Sequence, residues 1–173
     1  MQQAPAEQAF SVRHARPGDE QTLFALIEAL AEYEKLSHAV TGSAQQLAED
    51  LFGSQPAAEA LLAEADQRPV AFALFFHNYS TFLTQRGLYL EDLFVLPEYR
   101  RCGIGKALLG EVAKIARARG CGRLEWSVLD WNLSAIGFYR SLGASVLPDW
   151  RICRVVGDEL EQLARAAPAT LRG

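Results

Sequence analysis

The sequence predicts a mixed α/β fold with a mostly antiparallel central sheet of about six or seven strands, flanked by helices. Short runs in which apolar and polar residues alternate predict the strands, and runs with apolar residues every three or four positions predict the helices. With 173 residues, of which 50% are hydrophobic, the chain is long enough for one domain with a substantial core. We expect this domain to span residues 10–167, after a flexible lead-in over 1–9 and before a flexible tail over 168–173.

The first half of the chain predicts a strand, two helices and a hairpin. Asp19 and Ser43 are of the types that cap helix N-termini, and Gly53 is of the type that ends a helix. In chain order we expect a strand from Phe10 to His14, a helix from Asp19 towards Leu36, a helix from Ser43 to Gly53, strands over 60–64 and 70–77 joined by a turn over 66–69, and a polar link over 78–86.

The centre of the chain joins an apolar strand to a glycine loop and a long helix. The strand runs from Leu88 to Val95, and the helix follows Gly103 and Gly105 and ends near Gly120. Glycines permit backbone angles closed to other residues, and the free N–H groups at the start of a helix suit phosphate. A tight turn that only starts a helix is the simpler interpretation of the glycine pair.

The second half predicts one more strand and helix, and then a closing strand and helix. In chain order we expect a strand through Leu124, Trp126 and Val128, a helix opened by Asp130 to Asn132 and ended by Gly143, a strand from Trp150 to Val156, and a helix from Asp158 to Ala166. The passage from the central strand through its helix to the next strand predicts a right-handed parallel crossover.

Charge and composition exclude several classes of partner. The net charge is −4 and the basic residues are scattered, which argues against nucleic acid. We find no signal peptide and no apolar run long enough to cross a membrane. The three cysteines and three histidines are dispersed, so we expect no disulfide framework and no metal site, and a cytoplasmic location.

The chain resembles the GNAT N-acetyltransferase superfamily from about Val12 to Val156. The likeness is specific and rests on Arg100-x-x-Gly103-x-Gly105 after the Leu-Glu-Asp-Leu-Phe-Val strand, followed by Trp131-Asn132, Phe138-Tyr139 and Gly143-Ala144. It is most similar to the diamine, or spermidine/spermine, N1-acetyltransferase branch, through segments 26–34, 89–92, 130–132 and 150–151. A dinucleotide fold is the rival use of such a loop, but Leu108 stands where that motif has its third glycine.

The resemblance implies acetyl-CoA as co-substrate and assigns the residues that hold it. The loop binds the pyrophosphate through its backbone N–H groups, while its basic side chains supply counter-charge. The strand backbone pairs with the pantetheine arm and polarises the thioester carbonyl. The implied contacts are Leu93, Phe94, Val95, Arg100, Arg101, Cys102, Gly103, Ile104, Gly105, Lys106, Asn132, Leu133, Ser134 and Ala135. Asn132 is also a plausible helix N-cap, and we interpret Cys102 as a spacer rather than a nucleophile.

Tyr139 matches the catalytic tyrosine of the family. A phenol has an ordinary pKa near 10 and can give its proton to a departing thiolate, which is the role of a general acid. From the residues alone, a buried aromatic of the helix's inner face is the simpler interpretation, as it is for Phe138 beside it.

Glu91 and Asp92 are candidates for accepting the proton of the attacking amine. An alkyl ammonium has a pKa near 10.4 and must lose a proton before it attacks a thioester. Neighbouring residues of a strand face opposite sides, so we expect at most one of the two to point into the site. The alternative is a solvated edge or a salt bridge.

The resemblance also implies residues that bind the amine. Tyr33 and Glu34 match a substrate-contacting pair, and Glu91 matches a substrate-binding glutamate. Near Trp150 the branch has a further channel glutamate, where this chain has Pro148 and Asp149. That departure bears on polyamine specificity and leaves acetyl transfer untouched.

We expect an N-acetyltransferase that moves the acetyl group of acetyl-CoA to a primary amine of a small diamine or polyamine by direct attack. The alternatives are acetylation of thialysine, lysine-like amino acids or another small amine such as an aminoglycoside, and a non-catalytic CoA-binding sensor. The branch implies a homodimer, and the apolar strand over 150–156 is a plausible part of its interface.

Overall fold

The structure is a computed structural model that describes residues 9–168, in two compact units. The first unit ends at Ser127 and the second begins at Val128. The flexible lead-in over 1–9 and the flexible tail over 168–173, apart from Ala9 and Pro168, lie outside the described residues. The expectation of one domain over 10–167 therefore stays a prediction.

The first unit alternates helices with a five-stranded sheet, and the second unit is helical in its described part. The elements are β1 (Phe10–His14), α1 (Glu20–Tyr33), α2 (Ala44–Phe52), β2 (Glu59–Ala65), β3 (Arg68–Ser80), β4 (Gln85–Val95), α3 (Ile104–Ala118), β5 (Leu124–Trp126), α4 (Leu133–Ser141) and α5 (Gly157–Arg165), with short 3₁₀ turns at Ser37–Ala39 and Pro97–Tyr99.

The sheet has the strand order β1-β2-β3-β4-β5. The first four strands pair antiparallel, and β4 pairs parallel with β5 through the α3 crossover. The predicted mixed, mostly antiparallel α/β fold flanked by helices is therefore confirmed. The predicted count of six or seven strands is wrong by one or two.

Two segments account for the differences in strand structure. The residues expected as a polar link over 78–86 are mostly strand, because β3 and β4 form a long hairpin in which Tyr79 lies opposite Arg86 and only residues 81–84 turn. The strand expected over 150–156 is irregular. A strand needs a neighbour for its backbone hydrogen bonds, and the described part of the second unit contains no other strand.

Each face of the sheet packs against helices of the first unit. On one face, Phe72 and Phe94 lie opposite each other on β3 and β4 and pack with Leu23 and Leu26 of α1. On the other face lies α3, whose Leu108 and Val112 are completely buried. Burying such side chains stabilises the fold by about 1.5–3 kcal/mol each, so the sheet and these helices form a rigid base for β4.

The two predicted N-caps differ in the structure. The Ser43 hydroxyl accepts a hydrogen bond from the Gln46 N–H at 3.2 Å, which confirms the cap of α2. Asp19 stands at the N-cap of α1 but makes no side-chain bond to the helix. Instead its carboxylate accepts two hydrogen bonds from Arg13 at 2.6 and 2.9 Å, because β1 places that guanidinium beside it.

Arg13 joins β1, α1 and β2 into one charged network. Its guanidinium donates to Asp19 and also to Glu64 at 2.8 and 2.9 Å, and all three side chains are partly shielded from water. Arg13 lowers the pKa of Asp19 below its ordinary value of 3.8. The ionised carboxylate therefore stabilises the fold above that ordinary pKa, and this contribution is lost as the pH falls through the lowered one.

Replacing Asp19 by Asn is expected to lower the free energy of unfolding at pH 7 by about 1–3 kcal/mol, because Arg13 keeps its shielded charge and loses its main acceptor. Urea denaturation at pH 7 and again near pH 3 measures the change, and the difference between Asp19→Asn and wild type should shrink at the lower pH. Glu111→Gln, which breaks an exposed pair with Lys114, is the matched control and should cost at most about 0.5 kcal/mol. Equal losses in both variants would contradict a special role for the Arg13 network.

Candidate active site

A β-bulge in β4 lies at the predicted reaction centre. Leu74 and Phe75 are neighbours on β3, but their partners on β4 are Asp92 and Leu90, so Glu91 is an extra residue without a partner. A bulge of this kind bends the strand and shifts the alternation of its side chains by one position. Asp92 therefore shares a face with Phe94, on the side where α1 packs, while Glu91 is exposed.

Beyond the bulge, β4 has an edge that β5 does not cover. In the described residues, β5 pairs with β4 only from Leu88 to Leu90. The Leu96 N–H donates to the Val70 carbonyl at 2.9 Å, and alternate residues of an antiparallel strand bond to opposite sides. It follows that the backbone groups of Phe94 serve β3, whereas those of Leu93 and Val95 point away from it.

Three carboxylates interact electrostatically near the bulge. Burial, together with the charges of Glu91 and Glu34, raises the pKa of Asp92 from its ordinary 3.8 to about 6. Burial also raises the pKa of Glu34, which follows Tyr33 at the end of α1. The structure thus brings together three residues that the sequence proposed separately as base and amine ligands.

A carboxylate with a pKa near 6 is well suited to accept a proton near neutral pH. It is ionised at pH 7 and therefore free to accept a proton. Its raised pKa also makes it a stronger base than an ordinary carboxylate. The charges of Glu91 and Glu34 disfavour the ionised form of Asp92, so the three carboxylates repel one another. A cationic ligand would relieve this repulsion.

The loop between β4 and α3 has the backbone expected of a phosphate site. Gly103 has a φ of +85°, which side-chain-bearing residues rarely adopt, and it is the N-cap of α3. Gly105 lies within α3, so the sequence argument about its backbone angles was wrong. The Ala107 N–H donates to the Gly103 carbonyl, which leaves the N–H groups of 104–106 without partners of that kind in the helix.

The basic residues of this loop differ in their surroundings. Arg101 and Lys106 are exposed, next to the first turn of α3, and fit the role of counter-charge. Cys102 is partly buried, and its thiol donates to the Arg100 carbonyl over 3.6 Å. Arg100 is partly buried and donates from Nε to the Val95 carbonyl at 2.9 Å. That last contact could not be predicted from the sequence.

The remaining predicted residues lie in the second unit. Asn132 caps α4, because its side chain accepts from the Ala135 N–H at 3.2 Å, and Leu133 and Ser134 occupy the first turn. Tyr139 is the buried residue of α4 and is 9% exposed. Its ring lies 5.3 Å from that of Phe138. Asp149 is exposed in the irregular segment after α4.

Sequence reasoning missed a second contact at the point where β4 and β5 separate. The Tyr89 hydroxyl lies 2.6 Å from the Ser127 hydroxyl, one residue beyond the end of β5. It ties the two strands together immediately before the bulge. Tyr89 belongs to the segment 89–92, but nothing in the sequence pairs it with Ser127, so the contact follows only from the strand register.

The sequence model of the acetyltransferase (GNAT) family matches residues 24–144, which is most of the chain. The chain belongs to the GNAT acetyltransferase family. A GNAT protein is an acyltransferase with acetyl-CoA as co-substrate, so this chain is an acetyl-CoA-dependent N-acetyltransferase.

Several relatives of this GNAT chain act on small amines. A thialysine N-epsilon-acetyltransferase of Bos taurus is 40% identical over 164 residues, 88% of this chain and 96% of the relative. An L-ornithine N5-acetyltransferase of Arabidopsis thaliana is 34% identical over 88% of this chain and 86% of the relative. The spermidine/spermine N(1)-acetyltransferase-like protein 1 of Homo sapiens is 34% identical over 90% of this chain but only 24% of its own length.

A solved structure agrees with the fold. An integron cassette protein from the mobile metagenome of V. cholerae has a TM-score of 0.74 and 26% identity, and the match covers 91% of this GNAT chain and 98% of that one. The predicted resemblance to GNAT enzymes is confirmed.

The raised pKa of Asp92 predicts a distinct pH dependence of catalysis. The carboxylate is protonated below about pH 6, so the logarithm of kcat/KM for the amine should gain an extra limb of unit slope there. Asp92→Asn should remove this limb and lower kcat/KM at pH 7–8. Steady-state rates from pH 5 to 9 measure both effects.

Glu91→Gln is the matched control for this profile. It removes a like charge beside Asp92, which should move the limb to lower pH without abolishing it. A limb that persists unchanged in Asp92→Asn would show that another group titrates.

Proposed function

We propose that this enzyme acetylates the side-chain amine of a basic amino acid of the thialysine or ornithine type. The carboxylates of Glu34, Glu91 and Asp92 beside the uncovered edge of β4 support an ammonium ligand at this position. The names of two relatives support an amino-acid acceptor, because they are a thialysine and an L-ornithine acetyltransferase. This favours the alternative reading of the sequence over the polyamine that we first expected.

A diamine or polyamine is the second candidate. A relative named for spermidine and spermine supports it, as does the acidic character of the cluster, because an extended dication needs several anionic contacts. The channel glutamate of the polyamine branch has no counterpart at Pro148 and Asp149. We therefore place the amino acid first.

In the proposed mechanism the residues of β4 hold the thioester and receive the proton. The ammonium gives its proton to Asp92, directly or through water, and the free amine attacks the thioester carbon. The N–H groups of Leu93 and Val95 polarise the carbonyl, while the glycine loop with Arg101 and Lys106 holds the pyrophosphate. As the new C–N bond forms, the nitrogen loses its second proton to water. The C–S bond then breaks, and Tyr139 gives its proton to the sulfur and is reprotonated from water.

We propose a homodimer, supported by the apolar residues of 150–156, of which Trp150 and Ile152 are 72% and 69% exposed. The cytoplasmic location expected from the sequence stays a prediction. In the described residues, none of the helices is long and apolar enough to cross a membrane.

Matched pairs of amines test the acceptor. Lysine and cadaverine differ only in the α-carboxylate, and so do ornithine and putrescine. The release of CoA thiol measures kcat/KM, which we expect to be highest for thialysine. Within each pair, kcat/KM of the amino acid should exceed that of its decarboxylated partner at least about tenfold, which is the effect of one charge-assisted contact. Spermidine, spermine and an aminoglycoside complete the panel. Higher kcat/KM for the polyamines would overturn the amino-acid assignment in favour of the second candidate.

The role of Tyr139 is tested by a pair of substitutions in α4. Tyr139→Phe should lower kcat about 10²- to 10⁴-fold with an unchanged Tm, because it removes only the acidic proton. Phe138→Leu should mainly lower Tm. An unchanged kcat in Tyr139→Phe would show that the tyrosine is a packing residue.

A further inference from the structure

Arg100 makes contacts that a counter-charge for phosphate would not need. Its Nε donates to the Val95 carbonyl at 2.9 Å, on the side of β4 that faces away from β3. Its guanidinium carbon lies 4.2 Å from the centre of the Tyr33 ring and 5.6 Å from that of Phe94. These are cation–π distances, and such contacts strengthen when they are shielded from water.

The neighbouring basic residues provide the contrast. Arg101 and Lys106 are exposed, whereas Arg100 is partly buried. The side chain of Arg100 is turned towards the end of α1, and it bridges an element of the amine site to the strand that holds the thioester.

Tyr33 is held from two sides. Its ring packs against the core cluster and lies 6.4 Å from the Phe94 ring, while Arg100 covers it. Glu34 is the next residue and ends α1, where its N–H donates to the Leu30 carbonyl at 2.9 Å. A ring fixed at position 33 therefore limits where the carboxylate of 34 can lie.

We propose that Arg100 is a positioning residue of the amine site, which clamps Tyr33 and thereby fixes Glu34 beside Asp92, rather than a counter-charge for the CoA pyrophosphate. This inference rests on the proposed amine site. It assigns the first arginine of the loop to the acceptor and leaves the phosphates to Arg101, Lys106 and the backbone.

Three variants separate the two roles. Arg100→Gln and Arg100→Lys should each raise KM for the acceptor amine about tenfold and leave the Kd of CoA, measured by calorimetry, within about twofold of wild type. Lysine keeps the charge but lacks the planar fork that donates to Val95 while it covers the ring. Arg101→Gln is the matched control, and it should weaken CoA binding and change the amine KM little. A loss of folding alone would lower Tm and kcat without moving KM.

Two results would overturn the proposal. One is an Arg100→Lys enzyme with wild-type KM for the amine, because charge alone would then suffice. The other is an Arg100→Gln enzyme that loses CoA affinity as Arg101→Gln does.

A titration without substrate decides the matter independently of the acceptor. In Arg100→Lys, released Glu34 should no longer raise the pKa of Asp92, so the carboxyl NMR signal of Asp92 should titrate at lower pH than in wild type. Glu34→Gln should give the same shift. An unchanged titration in Arg100→Lys would overturn the proposal, whereas failure of every amine in the panel would contradict the proposed function alone.

Discussion

The structure of this site depends on one electrostatic constraint: the carboxylate of Asp92 is largely shielded from water and interacts with the carboxylates of Glu91 and Glu34. Burial of Asp92 disfavours its charge, and Glu91 and Glu34 disfavour it further. The packing of β4 and α1 holds these groups together against their repulsion, because Phe94 and Tyr33 belong to the same core. A cationic ligand would relieve that unfavourable arrangement of the free protein.

The bulge at Glu91 connects this constraint to the backbone. One extra residue turns Asp92 towards α1 and turns the hydrogen-bonding groups of Leu93 and Val95 away from β3. A single irregularity thus sets both the acidic side of the site and the strand edge that suits a thioester arm. The same strand leads into Gly103 and the N-terminus of α3, so the phosphate-compatible loop follows after a short turn.

The sequence predicted the parts of the fold that local pattern determines. The core helices, the β2–β3 hairpin and the β4–loop–α3 unit follow from periodicity, caps and glycines. The prediction of a strand over 150–156 was wrong, because apolar alternation cannot reveal that the described part of that unit has no partner strand. The prediction of a link over 78–86 was wrong, because polar residues such as Asn78 and Arg86 are compatible with the outer half of the β3–β4 hairpin.

The candidate site was predictable as a set of residues but not as an arrangement. Glu34, Glu91 and Asp92 were proposed from a family likeness, yet their mutual proximity depends on a bulge and on helix packing, which leave no signature in one sequence. The contacts of Arg100 with Tyr33 and Val95 were missed for the same reason. Long-range contacts of this kind can be predicted only when the register of β4 against its neighbours is known.

The most direct test of this account is the carboxyl titration of Asp92 by NMR in the free protein. We expect a pKa of about 6, and a lower value once a saturating cationic amine neutralises the cluster. A pKa near the ordinary 3.8 in the free protein, unchanged by the amine, would contradict the claim that the three carboxylates form the acceptor site.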